Sequence, residues 1–118
     1  MHLSTLAVVV SLSAVLAALA DSPDAALRDP SVYFCKHVDF EPPCIYMAAP
    51  TGRCVNLPSA WNDEVSSLRP DPQIESCRFF QHYNCQGPSF DASYPGYSNL
   101  INDVPGFNDQ ISSFMCDY

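Results

Sequence analysis

Trp61-Asn62-Asp63-Glu64-Val65-Ser66-Ser67-Leu68 and Phe107-Asn108-Asp109-Gln110-Ile111-Ser112-Ser113-Phe114 are two versions of one octapeptide, 46 residues apart. Four positions are identical, and the other four keep aromatic, polar or apolar character. An aromatic hairpin precedes each copy, Tyr33 to Pro43 and Phe79 to Pro88, and Asn56 lines up with Asn102 in the approaches. A repeat of about 45 residues built from four short strands is one Greek-key unit, and two such units can cover each other's apolar faces.

Outward from the repeat, short apolar runs alternate with turn residues. The runs include Val32-Tyr33-Phe34, Cys44 to Met47, Arg53-Cys54-Val55, Glu64 to Leu68, Cys77 to Phe80 and Gln110 to Met115. Glu41-Pro42-Pro43, Pro50-Thr51-Gly52, Pro70-Asp71-Pro72, Gln86-Gly87-Pro88 and Pro95-Gly96 separate them. No apolar stripe persists at helical spacing, so the pattern predicts an all-β sandwich or barrel. Motif one is expected over 31–70 and motif two over 75–118, together one domain at 31–118.

The chain has 118 residues, which leaves room for one domain of ordinary size. Leu3 to Ala20 carries no charge and ends Ala18-Leu19-Ala20 before Asp21. An apolar core followed by a small-x-small site reads as a secretory signal peptide over 1–20, so the protein is expected to be secreted and extracellular. An uncleaved membrane anchor is the competing reading, at the lower limit of length. Residues 21–30, with three Asp and two Pro, read as a flexible lead-in. The net charge of -8 leaves too few cations to displace counterions from a nucleic acid or to bind an anionic membrane directly.

Six cysteines in a small secreted domain read as a disulfide framework, with fifteen possible pairings. None of the gaps between Cys35, Cys44, Cys54, Cys77, Cys85 and Cys116 is the two-residue gap of a zinc site. Three lie in each half, so complete pairing requires at least one bridge between the halves.

The repeated hexamers Asn62-Asp63-Glu64-Val65-Ser66-Ser67 and Asn108-Asp109-Gln110-Ile111-Ser112-Ser113 resemble the calcium signature of the βγ-crystallin superfamily. That signature is Asn/Asp, Asn/Asp, two variable residues, Ser/Thr, Ser. The resemblance covers Ser31 to Tyr118 and is closest to small secreted, Cys-bearing crystallin-like proteins of fungi. It implies two Greek keys in a disulfide-stabilised βγ-crystallin-type sandwich. It also implies two Ca2+ sites, each drawing on both loops. The implied ligands are Asp63, Ser66, Asp109 and Ser112 through side chains, and Glu64 and Gln110 through carbonyls. Carbonyls near Glu41 and Gln86 would come from the hairpins. Asn62, Asn108, Ser67, Ser113, Trp61 and Phe107 would support the motif, the two aromatics packing beneath the loops.

The hairpin signature of the family is weaker here. Phe80 and Gly87 fit in motif two, but Cys85 takes the second aromatic place. In motif one Phe40 fits, Cys35 replaces the first aromatic, and Pro42 stands where Gly is expected. Proline cannot adopt a positive φ, so that hairpin is expected to fold differently and its calcium site to be the weaker.

Independently of any family, calcium takes six to eight hard oxygen ligands, and an Asn-Asp pair followed by Ser-Ser concentrates such oxygens. The same residue types also cap turns. No H-E-x-x-H, G-x-S-x-G or Gly-rich phosphate loop is present, and no N-x-[ST] sequon. Asp39 and Glu41 read as a solvated hairpin rather than a catalytic pair, and Trp61 has a possible alternative role in stacking on carbohydrate. The sequence therefore predicts a monomeric, non-enzymatic calcium-binding module with a structural or interaction role and an unidentified protein or cell-wall partner. An antimicrobial or killer-toxin-like effector is an alternative on the same fold. So is a proteinase inhibitor, with 93–99 as its exposed loop.

Overall fold

The computed structural model describes residues 29–118; the signal peptide expected at 1–20 and most of the lead-in expected at 21–30 lie outside them. Among the described residues seven strands form two antiparallel sheets. They are β1 (Ser31–Cys35), β2 (Cys44–Ala48), β3 (Cys54–Asn56), β4 (Ser67–Pro70), β5 (Ser76–His82), β6 (Gln86–Ala92) and β7 (Ser113–Asp117), with a short helix α1 (Leu100–Asp103) before β7. The first sheet has the order β2-β1-β4 and the second β3-β7-β5-β6. Strand β3 thus belongs to the first motif by sequence and to the second by hydrogen bonding, with Val55 opposite Phe114.

The reciprocal exchange is reduced. In motif two the third strand shrinks to one bridge, Tyr97 opposite Leu68, and α1 follows. This corrects the expectation of four strands per unit. The amides of Leu57 and Leu100 bond the Ser112 and Ser66 carbonyls respectively, making these leucines counterparts. The counterpart of Asn56 is therefore Asn99 and not Asn102. Three additional residues separate Leu100 from Phe107 compared with Leu57 and Trp61, and they are taken up in the α1 turn. Asn99 caps it, its side chain accepting from the Asn102 amide at 3.3 Å.

Alternation along the strands builds the core between the sheets. Val32 and Phe34 of β1, Leu68 of β4, Phe79 of β5 and Phe114 of β7 are fully buried. Phe34 meets Phe114 at 5.2 Å between centroids and Phe79 at 6.0 Å, the latter edge-on. Val65 and Ile111, at matching places in the hexamers, are also fully buried. The hexamers therefore enter as loops anchored by one apolar residue, and strand pairing begins only at Ser67 and Ser113.

All six cysteines are paired. Cys35–Cys44 and Cys77–Cys116 each join residues directly opposite on neighbouring strands, while Cys54–Cys85 joins the halves. Tyr94 to Tyr97 form a tight turn, with Gly96 donating to the Ser93 carbonyl at 2.7 Å. Gly96 has φ +79°, and a Cβ there would run into the Leu68 carbonyl, so only glycine fits.

Candidate functional site

Each hexamer opens with a turn closed by the same bond. The Glu64 amide donates to the Trp61 carbonyl at 3.2 Å, and the Gln110 amide to the Phe107 carbonyl at 3.1 Å. The turn forces Asp63 and Asp109 to φ 59° and 57°. Aspartate is among the few side chains that tolerate this region. In this conformation each Asp amide crosses to the other loop, Asp63 to the Ile111 carbonyl at 3.1 Å and Asp109 to the Val65 carbonyl at 3.0 Å. The side chains cross as well. Ser66 donates to Asp109 Oδ1 at 3.4 Å, and Ser112 donates to Asp63 Oδ1 at 3.5 Å. Two carboxylate–hydroxyl pairs result, each made of one residue from either hexamer and related by an approximate two-fold.

The second serine of each hexamer does different work. Ser67 donates to the His37 carbonyl at 2.7 Å and accepts from the Phe40 amide at 3.2 Å. Ser113 donates to the His82 carbonyl and accepts from the Cys85 amide at 2.9 Å. Each serine thus clasps the hairpin of its own motif against its own hexamer. The residue after each clasped amide is Glu41 or Gln86, the two positions singled out for hairpin carbonyls; both are exposed. The clasp carbonyls of His37 and His82 did not stand out in the sequence. Their 45-residue spacing in corresponding hairpins is the signal that could have found them.

The two hairpins share their tip despite Pro42. Asp39 and Phe40 have φ 59° and 57°, and Asn84 and Cys85 have φ 64° and 55°. They part company afterwards. Gly87 at φ +86° lets β6 start at Gln86, paired with His82, whereas β2 starts only at Cys44. Proline thus costs motif one the strand pairing beside the tip, not the tip itself.

Trp61 is partly buried against the core, with Lys36 Nζ 5.2 Å from its ring centre. Phe107 packs edge-on to Phe90 at 4.8 Å. Burial pushes the Asp109 carboxyl above its usual range, and the charges of Glu64 and Asp63 add to this. The Ser66 hydroxyl and His37 oppose it. Asn62 and Asn108 each bury an Oδ1 with no hydrogen-bond partner in the structure, again at matching positions.

Among the described residues no three His, Cys, Asp or Glu side chains converge on a metal position. A cation held here would depend on hydroxyl and carbonyl oxygens beside single carboxylates. That donor chemistry suits a hard ion such as calcium and not zinc.

Solved structures similar to this chain share its architecture. A βγ-crystallin from an archaeon superposes with TM-score 0.60 at 22% identity, covering 75% of this chain and 99% of its own. The chain has the βγ-crystallin fold. A βγ-crystallin from Ciona intestinalis matches with TM-score 0.60 at 21% identity over 74% of this chain and 99% of its own. A βγ-crystallin domain of the Abundant Perithecial Protein of Neurospora crassa, solved in its Ca2+-bound form, matches with TM-score 0.57 at 21% identity. It covers 76% of this chain and 91% of its own. No family model matches the sequence, and no curated protein does. The crystallin likeness is therefore one of fold, carried by the two Greek keys, and within it the crossed hexamers occupy the loops leading into β4 and β7.

Proposed function

We propose that the protein is a secreted calcium-binding module with a structural or interaction role, and not an enzyme. The observation that carries this reading is the crossed pairing of Ser66 with Asp109 and of Ser112 with Asp63. Ser66, Asp109 and the carbonyls of Glu64 and Glu41 would hold one ion. Ser112, Asp63 and the carbonyls of Gln110 and Gln86 would hold the other. The Ca2+-bound state of the Neurospora domain supports the same reading. Secretion is supported by the uncharged Leu3–Ala20 run and by three disulfides among the described residues. Cleavage after Ala20 would leave a chain starting at Asp21, which N-terminal sequencing of the protein recovered from medium would read directly.

Calorimetric titration of the oxidised mature protein with calcium tests the proposal. Two sites with Kd of roughly 10⁻⁴ to 10⁻³ M are expected for an extracellular module. A hundredfold excess over Kd would add about 2.7 kcal/mol of stability per site. Absence of both binding heat and a melting shift in millimolar calcium would mean that the hexamers serve only as turns. The inhibitor alternative gains no support from the geometry, because 93–97 folds back as a pinned turn instead of presenting an extended strand.

A further inference from the structure

The three disulfides differ in what would hold their sulfurs together once opened. Cys35 and Cys44 face each other across a ladder running the length of β1 and β2, and Cys77 and Cys116 across the ladder that pairs Ser76–Phe80 of β5 with β7. Cys35 is fully buried, and Cys77 and Cys116 are 1% exposed. Cys54 and Cys85 have no such support. Cys54 is exposed on a strand of three residues, and Cys85 stands at the hairpin tip at φ 55°. Beside this bridge, two exposed hydrogen bonds join β3 to the tip. Asn84 N donates to Asn56 Oδ1 at 2.8 Å, and Asn56 Nδ2 donates to Asn84 Oδ1 at 3.2 Å.

The duplicate motif shows what the bridge replaces. At the matching tip, the Asp39 amide bonds the main-chain carbonyl of Ser98 at 2.6 Å, and Phe40 takes the place of Cys85. One tip is therefore braced by backbone and the other by a side-chain amide and a disulfide. Next to the disulfide-braced tip lies Gln86, and the Cys85 amide is the one that Ser113 clasps.

We propose that Cys54–Cys85 is a redox-addressable latch on the second hairpin, opened selectively by a small thiol or dithiol reductant. Opening it disables the Ser112–Asp63 calcium site and leaves the Ser66–Asp109 site working. The calcium part rests on the function proposed above; the selectivity of opening does not. With a dithiol, one thiolate attacks the exposed Cys54 sulfur, the S–S bond breaks, and Cys85 leaves as a thiolate that takes a proton. The second thiolate of the reagent then displaces Cys54, which is protonated in turn, and the reagent ends as its cyclic disulfide. Two electrons and two protons pass from reagent to protein. The neighbouring bridges re-form faster than they are trapped, because strand pairing keeps their sulfurs opposed.

The test is graded reduction of the native oxidised protein with dithiothreitol, followed by alkylation and peptide mapping. At the first equivalent, Cys54 and Cys85 should carry about tenfold more label than any other cysteine. Amide exchange at 84–86 should quicken while the amides of Phe34 and Phe79 stay protected. First labelling at another pair, even labelling of all six, or unchanged exchange at 84–86 would overturn the latch. The same singly reduced protein, with a Cys54→Ser/Cys85→Ser variant as its stable counterpart, is titrated with calcium. One site should be lost and one kept; loss or retention of both would overturn the coupling. If the untreated protein takes up no calcium, it is the proposed function that fails, and labelling and exchange alone decide the latch.

Discussion

Asp63 and Asp109 owe the direction of their carboxylates to the main chain, since a positive φ at each follows from the turn bond before it. Replacing either by Ala removes a charged oxygen donor. It also costs about 1–2 kcal/mol, because Ala disfavours the left-handed region. The quantity to compare is therefore the calcium-dependent melting shift against the same variant in EDTA. Each substitution should reduce that shift by eliminating one site and sparing the other; a shift intact in both variants would place the ion elsewhere. The pH behaviour belongs to Asp109. Its folded-state carboxyl holds a proton more tightly than in the unfolded chain. The resulting contribution to stability is complete below the ordinary aspartate range and is lost as pH rises through the higher folded value. In EDTA, Asp109→Asn should therefore gain on the wild type as pH is raised across that interval. Urea unfolding at several pH values checks this, and the gain should be small because the side chain is exposed and screened. Calcium should cancel it by stabilising the ionised form.

At the level of elements, the serines of one hexamer separate cleanly by role. Ser113 is fully buried and makes two bonds to the β5–β6 hairpin, so Ser113→Ala should destabilise by about 1–3 kcal/mol in urea melts. Ser112→Ala loses only a long contact with Asp63. It should change the calcium response with little effect on the calcium-free protein. Gly96→Ala should cost about 1–3 kcal/mol by driving a Cβ into the Leu68 carbonyl. The hexamers were legible because residue identity and spacing survive at their full 46-residue offset. The segment leading to the second one was not. Its three additional residues shift Asn99, rather than Asn102, into register with Asn56, and one-dimensional alignment through matching asparagines conceals such an insertion. The hairpin tip illustrates a different limit. Pro42 forbids a positive φ only at its own position, so its effect begins after the tip, at the start of strand pairing.

For the molecule as a whole, stability rests on the aromatic contact between the sheets. Phe34→Ala or Phe79→Ala should cost about 3–5 kcal/mol, measured by chemical denaturation with the disulfides intact. Ellman titration of the denatured, unreduced protein should find no thiol; two or more free groups would contradict the observed pairing. Sequence parity demanded one bridge between the halves, but which cysteines form it depends on where β3 goes. No local pattern tells a three-residue strand to pair with β7 instead of β4. That placement also bears on whether either half could exist alone. Severed at 71–75 and with Cys54–Cys85 reduced, the amino-terminal piece would keep an orphan ribbon at Cys54–Asn56 with its natural groove on another polypeptide. The carboxy-terminal piece would keep an empty groove beside β7. Mixed together, the two pieces should reconstitute the fold by fragment complementation. Held separately, the first should have no monomeric native state, because completing its topology requires a strand bed that only the second half supplies.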